Sequence, residues 1–226
     1  MTIRICVSIQ PKTVSEALTL IDQSEAASAD LVEVRLDSLK NTEGLADVAT
    51  HGKLQKIATD RQASLRGKFM GTETEQKQIL RNAAKTGFEY VDIELSASNL
   101  REFTTEVSEY GAKPIVSFHD FDQSLTLAEL NDVLEREIAS GADICKIVTT
   151  AKMVEDNLTL LNFTSAACKR CNVVCFAMGG AGKISRILSP LFGCAFTFAA
   201  LETGGETAPG QMTIQEMRSA YKLLGL

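Results

Sequence analysis

The 226-residue chain has no apolar run long enough to cross a lipid bilayer, which excludes a helical membrane span. Its opening residues, MTIRICVSIQ, are too short and too strand-like for a signal peptide. It also has no excess of basic residues: the net charge of −6 gives no support for nucleic-acid binding. We therefore expect a cytoplasmic protein that binds neither membranes nor nucleic acid. Local arginines could still bind a small anionic substrate.

Recognisable metal-binding patterns are missing as well. Six cysteines are present, and in the cytoplasm we expect them as reduced thiols. Cys168 and Cys171 form a C-x-x-C, but no second pair or nearby histidine completes a zinc set. We therefore expect no metal. One alternative stays open, a divalent-metal site assembled in space from Glu33, Asp37, Glu94 and His119.

What the chain does contain is a regular alternation of short apolar runs with helical patterns. Thr-x-x-Glu sequences predict four helix starts, because such a pair can satisfy free backbone amides: Thr13/Glu16, Thr72/Glu75, Thr126/Glu129 and Thr213/Glu216. The predicted strands number eight: Arg4–Ile9, Leu31–Leu36, Lys56–Thr59, Tyr90–Leu95, Pro114–His119, Ile144–Thr149, Val173–Ala177 and Ala195–Leu201.

Strands that alternate with helices imply a parallel sheet, and a mean spacing of about 27 residues is the size of one βα unit. We predict an α/β fold, a (β/α)8 TIM barrel, with residues 1–226 forming a single catalytic domain. A doubly wound open sheet is the alternative. That fold usually has a glycine-rich turn after its first strand, and residues 8–12 contain no glycine.

In a barrel the chemistry lies at the C-terminal ends of the strands. Charged residues collect at these positions: Glu33, Arg35, Asp37, Asp60, Arg61, Asp92, Glu94, His119, Asp120, Lys146 and Arg186. Any one of them could be a solvated loop residue or part of a structural ion pair. Together they are more informative, because buried charges are normally paired or functional.

Lys146 is the most unusual of these residues, because it interrupts the apolar run GADICKIVTT. Burial and nearby cations would favour the free amine, which can attack a carbonyl and form a Schiff base. His119 precedes it by 27 residues, one βα unit, so we expect the two side chains at the same barrel mouth. An imidazole there could remove the proton that an imine makes acidic. A lysine paired with Glu33 or Glu94 as a core salt bridge is an equal alternative.

The chain resembles the type I 3-dehydroquinate dehydratases nearly from end to end. The matching segments are EVRLD (33–37), SFHDF (117–121), ADICKIV (142–148), KISR (183–186), FGCAFTFAAL (192–201) and TAPGQ (207–211). The resemblance implies a homodimeric (β/α)8 barrel that needs no cofactor. It also implies the conversion of 3-dehydroquinate to 3-dehydroshikimate in the shikimate pathway of aromatic amino-acid biosynthesis.

The resemblance also implies roles for individual residues. Lys146 would form the imine, and His119 would act as the general base and acid. Arg186 would bind the substrate carboxylate. The segment 204–211 would act as a lid. The other implied substrate contacts are Glu33, Arg35, Arg61, Met178, Phe198, Thr207 and Gln211.

One position departs from the family pattern. The family follows its third-strand arginine, here Arg61, with a Glu-Gly-Gly run whose glutamate orients the histidine. In this chain Leu65 stands where that glutamate is expected. Either Glu94 or Asp120 replaces it, or His119 is aligned by the substrate itself.

Two other functions remain as alternatives. A different Schiff-base barrel, such as an aldolase, would bind a phosphate at GGAGKIS, residues 179–185. A catalytically inactive barrel kept as a binding partner would explain Leu65, although Lys146 and His119 argue against it.

Overall fold

A computed structural model describes residues 3–226 of the chain. Eight parallel strands form its centre: β1 Ile5–Ile9, β2 Leu31–Arg35, β3 Gln55–Thr59, β4 Tyr90–Glu94, β5 Lys113–His119, β6 Ile144–Thr150, β7 Asn172–Met178 and β8 Thr197–Ala200. Eight α-helices alternate with them: α1 Val14–Ala26, α2 Leu45–Thr50, α3 Glu73–Thr86, α4 Leu100–Glu109, α5 Leu127–Ala139, α6 Asp156–Ala167, α7 Lys183–Leu188 and α8 Ile214–Leu223. Short 3-10 turns cover Leu36–Ser38, Ala63–Leu65 and Ser189–Phe192.

The strands form one nearly closed sheet. The hydrogen-bonded order is β7-β6-β5-β4-β3-β2-β1-β8, so β8 returns to pair with β1. At the remaining seam the Ala195 backbone N–H donates to the Val173 carbonyl over 2.9 Å. The predicted (β/α)8 barrel is therefore confirmed over the described residues. Counted over both ends, each predicted strand differs from the observed one by one to three residues. Differences of this size are usual for the ends of strands and helices.

The side chains of strand β6 pack alternately into two layers of the core. Ile144 and Val148 belong to the cluster inside the barrel, whereas Cys145 and Ile147 pack in the layer between sheet and helices. Successive side chains on a strand point to opposite faces. Lys146 therefore shares the inner face with Ile144 and Val148, which explains an ammonium in the middle of an apolar run.

Three of the four predicted capping boxes form completely, at Thr72, Thr126 and Thr213. The fourth forms only in part. Thr13 accepts from the Glu16 backbone N–H, but the Glu16 carboxylate accepts from the Lys12 N–H instead of the Thr13 N–H. None of the described helices has the length and apolar character needed to span a bilayer.

Candidate active site

A cavity at the C-terminal ends of the strands contains the candidate site. Its lining includes all ten site residues predicted from the sequence: Glu33, Arg35, Arg61, His119, Lys146, Met178, Arg186, Phe198, Thr207 and Gln211. Seven residues outside the predicted site set complete it, two of which, Ala208 and Pro209, belong to the predicted lid segment. The other five are Leu65, Arg66, Phe121, Val148 and Phe176. The expected convergence of strand-end side chains is therefore present in space.

Lys146 reaches into this cavity from β6 and is buried. Its Nζ lies 2.8 Å from Asp92 Oδ2 and 3.4 Å from Glu33 Oε1, and 4.4 Å from the centroid of the Phe198 ring. The expected Glu33 contact is present, but the alternative partner Glu94 is not in contact, and Asp92 takes its place. Lys146 is thus paired with two carboxylates, one of which, Glu33, was expected in the salt-bridge alternative.

Asp92 is the centre of the buried charge network. Besides Lys146, its carboxylate accepts from Arg61 Nη2 at 2.9 Å and from Ser117 Oγ at 2.7 Å. Burial alone would raise the pKa of Asp92, but Lys146, Arg61 and His119 hold it well below the usual range. Asp92 is therefore ionised, and it fixes two cations that come from different strands.

Glu33 is held in a similar way from the neighbouring strands. Its carboxylate accepts from Ser8 Oγ and, at 2.9 Å, from Thr59 Oγ1. Burial opposes ionisation, but Lys146 and Arg35 together lower the pKa of Glu33 below its ordinary value. Glu33 is thus a second carboxylate that can accept a proton next to the Lys146 amine.

Arg35 is buried and is already paired. Its Nε and Nη2 donate to the Asp37 carboxylate at 2.8 and 2.7 Å. A fork-to-fork pair of this kind holds the guanidinium in one orientation. Arg35 therefore lines the cavity with its guanidinium held in a fixed orientation.

His119 is the last residue of β5, and its side chain is 12% exposed. Burial first, and then the charges of Arg61 and Lys146, lower the pKa of His119 well below its ordinary value. The imidazole is therefore neutral at pH 7 and able to accept a proton. Within residues 3–226, no group forms a hydrogen bond with its Nδ1.

The structure distinguishes the two acids that were considered as replacements at Leu65. Asp120 accepts from the backbone N–H groups of Asp122 and Gln123, both at 2.9 Å, so it braces its own loop. Glu94 instead faces the histidine, with Oε2 3.8 Å from His119 Nδ1. That separation is too long for a hydrogen bond. Glu94 supplies charge beside the ring, but it does not orient the ring by a direct bond.

Arg186, in α7, is 1% exposed. Its Nη1 donates to the Phe198 carbonyl at 3.3 Å, and its Cζ lies 4.2 Å from the centroid of the Phe176 ring. Nε and Nη2 have no hydrogen-bond partner in the described part of the chain, and burial lowers the pKa of Arg186 to about 10. A buried guanidinium that is still charged at pH 7 and has two free donors is suited to bind an anion.

The second half of the segment 204–211 lines the cavity through Thr207, Ala208, Pro209 and Gln211. The Gln211 side-chain oxygen accepts from the Thr207 N–H at 2.6 Å and from its hydroxyl at 3.1 Å. The Gly179 N–H donates to the Pro209 carbonyl at 3.0 Å, which ties the segment to the end of β7. Gly210 has φ +75°, and a Cβ there would lie 2.2 Å from the Gly179 carbonyl oxygen, so only glycine allows this approach.

Sequence reasoning missed the hydroxyl groups that support the carboxylates. Ser8, Thr59 and Ser117 donate to Glu33 or Asp92 from strands β1, β3 and β5. In the sequence, such a hydroxyl can be recognised only as a polar residue on the inner face of an otherwise apolar strand. This signal is weak, because the carboxylate that the hydroxyl contacts lies 25 or 26 residues away and can be identified only from the barrel register.

The fold and this cluster of charged side chains define the chain as a barrel enzyme. A sequence model described as type I 3-dehydroquinase matches residues 5–226, and the chain belongs to that family. It is a hydro-lyase, which confirms the enzyme class expected from the sequence. Family membership favours dehydration over the aldolase and non-enzyme alternatives.

Individual relatives agree with this assignment. A 3-dehydroquinate dehydratase of Coxiella burnetii is 34% identical over 98% of this chain and 93% of the relative. One from Dehalococcoides mccartyi is 37% identical over 91% of this chain and 92% of the relative. The crystal structure of 3-dehydroquinate dehydratase from Geobacillus kaustophilus superposes with a TM-score of 0.90 at 25% identity, covering 100% of this chain and 92% of that one.

Proposed function

We propose that this chain dehydrates 3-dehydroquinate to 3-dehydroshikimate through an imine on Lys146. The observation that carries the proposal is the buried Lys146 amine beside two ionised carboxylates, on the strand next to the one that bears the neutral His119. A type I 3-dehydroquinate dehydratase of Clostridium difficile, similar in fold with a TM-score of 0.87 at 25% identity, is described with covalently modified comenic acid. Covalent chemistry in that relative supports the proposal.

The first step forms the imine. Lys146 passes a proton to Glu33, and its free amine adds to the C3 ketone carbon. Glu33 returns that proton to the former carbonyl oxygen, which takes a second proton from the nitrogen and leaves as water, and a protonated imine remains. The Asp92 and Glu33 carboxylates lie beside the lysine nitrogen, which is positively charged both as the ammonium and as the protonated imine. They therefore stabilise the positive charge before and after the C–N bond forms.

The second step removes water from the ring. His119 takes a proton from C2, and the electron pair of that C–H bond moves toward the iminium nitrogen. The resulting enamine expels the C1 hydroxyl, to which His119 returns the proton. Hydrolysis of the imine then releases 3-dehydroshikimate and restores the Lys146 amine. The imine itself is the electron acceptor, so the proposal calls for no metal or cofactor.

The remaining cavity residues fit the rest of the substrate. Arg186 would bind the carboxylate, because its Nε and Nη2 are free donors. The ring hydroxyls would contact Glu33, Arg35 and Arg61, the ring would pack on Met178 and Phe198, and the lid would contribute Thr207 and Gln211.

The test is borohydride trapping. Reduction in the presence of 3-dehydroquinate should leave a stable adduct on the peptide that contains Lys146, read by mass spectrometry. The wild-type protein should also produce the absorbance of the conjugated product. Absence of both the adduct and the absorbance would contradict the proposal, and an adduct on another lysine would reassign the nucleophile.

We also propose that the protein is a cytoplasmic homodimer with a single catalytic domain over residues 1–226. Six free cysteines suit a reducing compartment. Around the start of α6, the exposed side chains of Met153, Val154 and Leu158 are apolar, as at many subunit contacts. Sedimentation equilibrium should give twice the chain mass of 24.5 kDa, and a monomer at micromolar concentration would exclude the dimer.

A further inference from the structure

The loop between β3 and α3 places an arginine over the aromatic ring next to the histidine. Arg66 Cζ lies 4.5 Å from the centroid of the Phe121 ring, and Arg66 Nη2 lies 3.7 Å from Asp122 Oδ1. Both contacts reach the loop that follows β5. Arg66 therefore links two loops of the barrel mouth that are not neighbours in the sheet order.

Phe121 in turn lies against His119. The two ring centroids are 5.7 Å apart and the ring planes differ by 11°, which is an offset parallel stack. The loop that carries Phe121 is itself fixed, because Asp120 accepts from the N–H groups of Asp122 and Gln123. Guanidinium, phenyl ring and imidazole thus follow one another at the rim of the cavity.

The backbone holds Arg66 in place for this contact. Its φ is +59°, in the left-handed region that a non-glycine residue seldom adopts. The loop is pinned on both sides: the Gly67 N–H donates to the Gln62 carbonyl at 2.9 Å, and the Phe69 N–H donates to the Arg61 carbonyl at 3.0 Å. Strained conformations of this kind collect where the position of a side chain matters.

The stack meets a need that the hydrogen bonds leave open. Among the residues that the structure describes, none forms a hydrogen bond with His119 Nδ1, and the nearest carboxylate oxygen, on Glu94, is 3.8 Å away. Leu65, which precedes Arg66, lines the cavity without a polar group. Stacking on Phe121 can hold the plane of the His119 ring in place without a hydrogen bond to a ring nitrogen.

We propose that Arg66 and Phe121 are positioning residues for His119, with the guanidinium holding the phenyl ring against the imidazole. This proposal rests on the proposed role of His119 as the proton-transfer group. The cation–π stack would then orient the histidine, to which no carboxylate of the described residues is hydrogen-bonded.

The variants Arg66→Gln and Phe121→Leu test it in the full chain. A cation–π contact at a partly exposed site corresponds to a loss of about three- to fivefold in kcat for Arg66→Gln. For Phe121→Leu we expect a loss on the order of tenfold, because a misplaced base loses alignment. In both variants KM should stay within about twofold of wild type, and borohydride should trap the Lys146 adduct as in wild type. Arg66→Lys, which keeps the cation, should recover part of the loss.

The pH dependence of kcat/KM is a second measurement, because a purely structural role of Phe121 would leave the pKa of His119 unchanged. The charged groups around the imidazole are Glu33 on β2, Arg61 and Arg66 after β3, Asp92 and Glu94 on β4, Asp120 after β5, and Lys146 on β6. Removing Phe121 admits water to His119, and burial is the main cause that lowers the pKa of this residue. The acid limb of kcat/KM should therefore move to higher pH in Phe121→Leu.

Lys85→Gln is the matched control, because it removes a cation 4.6 Å from the Tyr110 ring centroid, a pair that lies outside the cavity lining. Its kcat should equal that of wild type. Unchanged kcat in both Arg66→Gln and Phe121→Leu would overturn the proposal. A raised KM with unchanged kcat would do so too, since it would make Arg66 a substrate-binding residue. A wild-type protein without turnover or adduct would instead refute the proposed function.

Discussion

The variant Lys146→Met separates the chemical role of the lysine from its structural one. Methionine keeps most of the length of the side chain and removes the charge. The variant loses two buried ion pairs, to Asp92 at 2.8 Å and to Glu33 at 3.4 Å. Breaking a buried pair typically costs about 3–5 kcal/mol, because the remaining charge is left alone.

In this site neither carboxylate is left alone. Asp92 keeps Arg61 at 2.9 Å and Ser117 at 2.7 Å, and Glu33 keeps Ser8 and Thr59. We therefore expect the low end of that range, about 3 kcal/mol. A domain of ordinary stability has roughly 5–15 kcal/mol, so the variant should remain folded.

Urea unfolding followed by circular dichroism measures this cost. With an m-value of about 3 kcal/mol per M, the midpoint should fall by about 1 M while the transition stays cooperative. The pH dependence has a definite sign. Lys146 helps to lower the pKa of Asp92, and such a group stabilises the fold above its unfolded pKa. The gap between wild type and variant should therefore be largest at neutral pH and should narrow below about pH 4.

The same variant should form no borohydride adduct and no product. Loss of cooperative unfolding in Lys146→Met would refute the reasoning, since it would make the lysine mainly a structural residue. A midpoint equal to that of wild type would also contradict it, because the two ion pairs would then contribute nothing.

Three further predictions concern other buried groups. His119→Ala should lower kcat by a factor on the order of 10² to 10⁴ and should still give the Lys146 adduct; wild-type kcat would contradict the proton-transfer role. Arg186→Met should raise KM for 3-dehydroquinate far more than it lowers kcat, because the lost contact is made before and during the reaction, and steady-state kinetics will show whether kcat falls instead. Burial raises the pKa of the Glu137 carboxyl, so this group should cost the wild type stability as the pH rises above about 4.5, by at most about 1.4 kcal/mol per pH unit. Glu137→Gln should lack that slope, and parallel urea midpoints at pH 5 and pH 7 in the two proteins would contradict this prediction.

Much of the fold could be predicted because the sheet is parallel and covered on both faces. Strands of that kind are continuous apolar runs, and β6 is one of them, with burial on both sides of the sheet. Lys146 was conspicuous for the same reason, because a charge in such a run is rare. The Thr-x-x-Glu pairs marked helix starts through purely local chemistry, which is why three of the four formed in full.

The parts that sequence reasoning missed depend on distances between elements. Asp92 was visible at a strand end, but its role as the common partner of Lys146 and Arg61 follows from the register of three strands. The Arg66 contact depends on a left-handed backbone angle, which arginine does not suggest. The Asp92 contacts are non-local, and the Arg66 angle is local but is not signalled by the type of residue, so no pattern within one segment could reveal either.

The pairing of β5 with β6 also places the backbones of the two proposed catalytic residues at different depths in the barrel. Lys146 pairs with Ser117, whereas His119 pairs with Val148, so the Lys146 Cα lies two residues, or about 7 Å along the strands, deeper than the His119 Cα. On the proposed function, the imine therefore forms on the deeper of two neighbouring strand positions, and the proton is moved by the residue nearer the mouth.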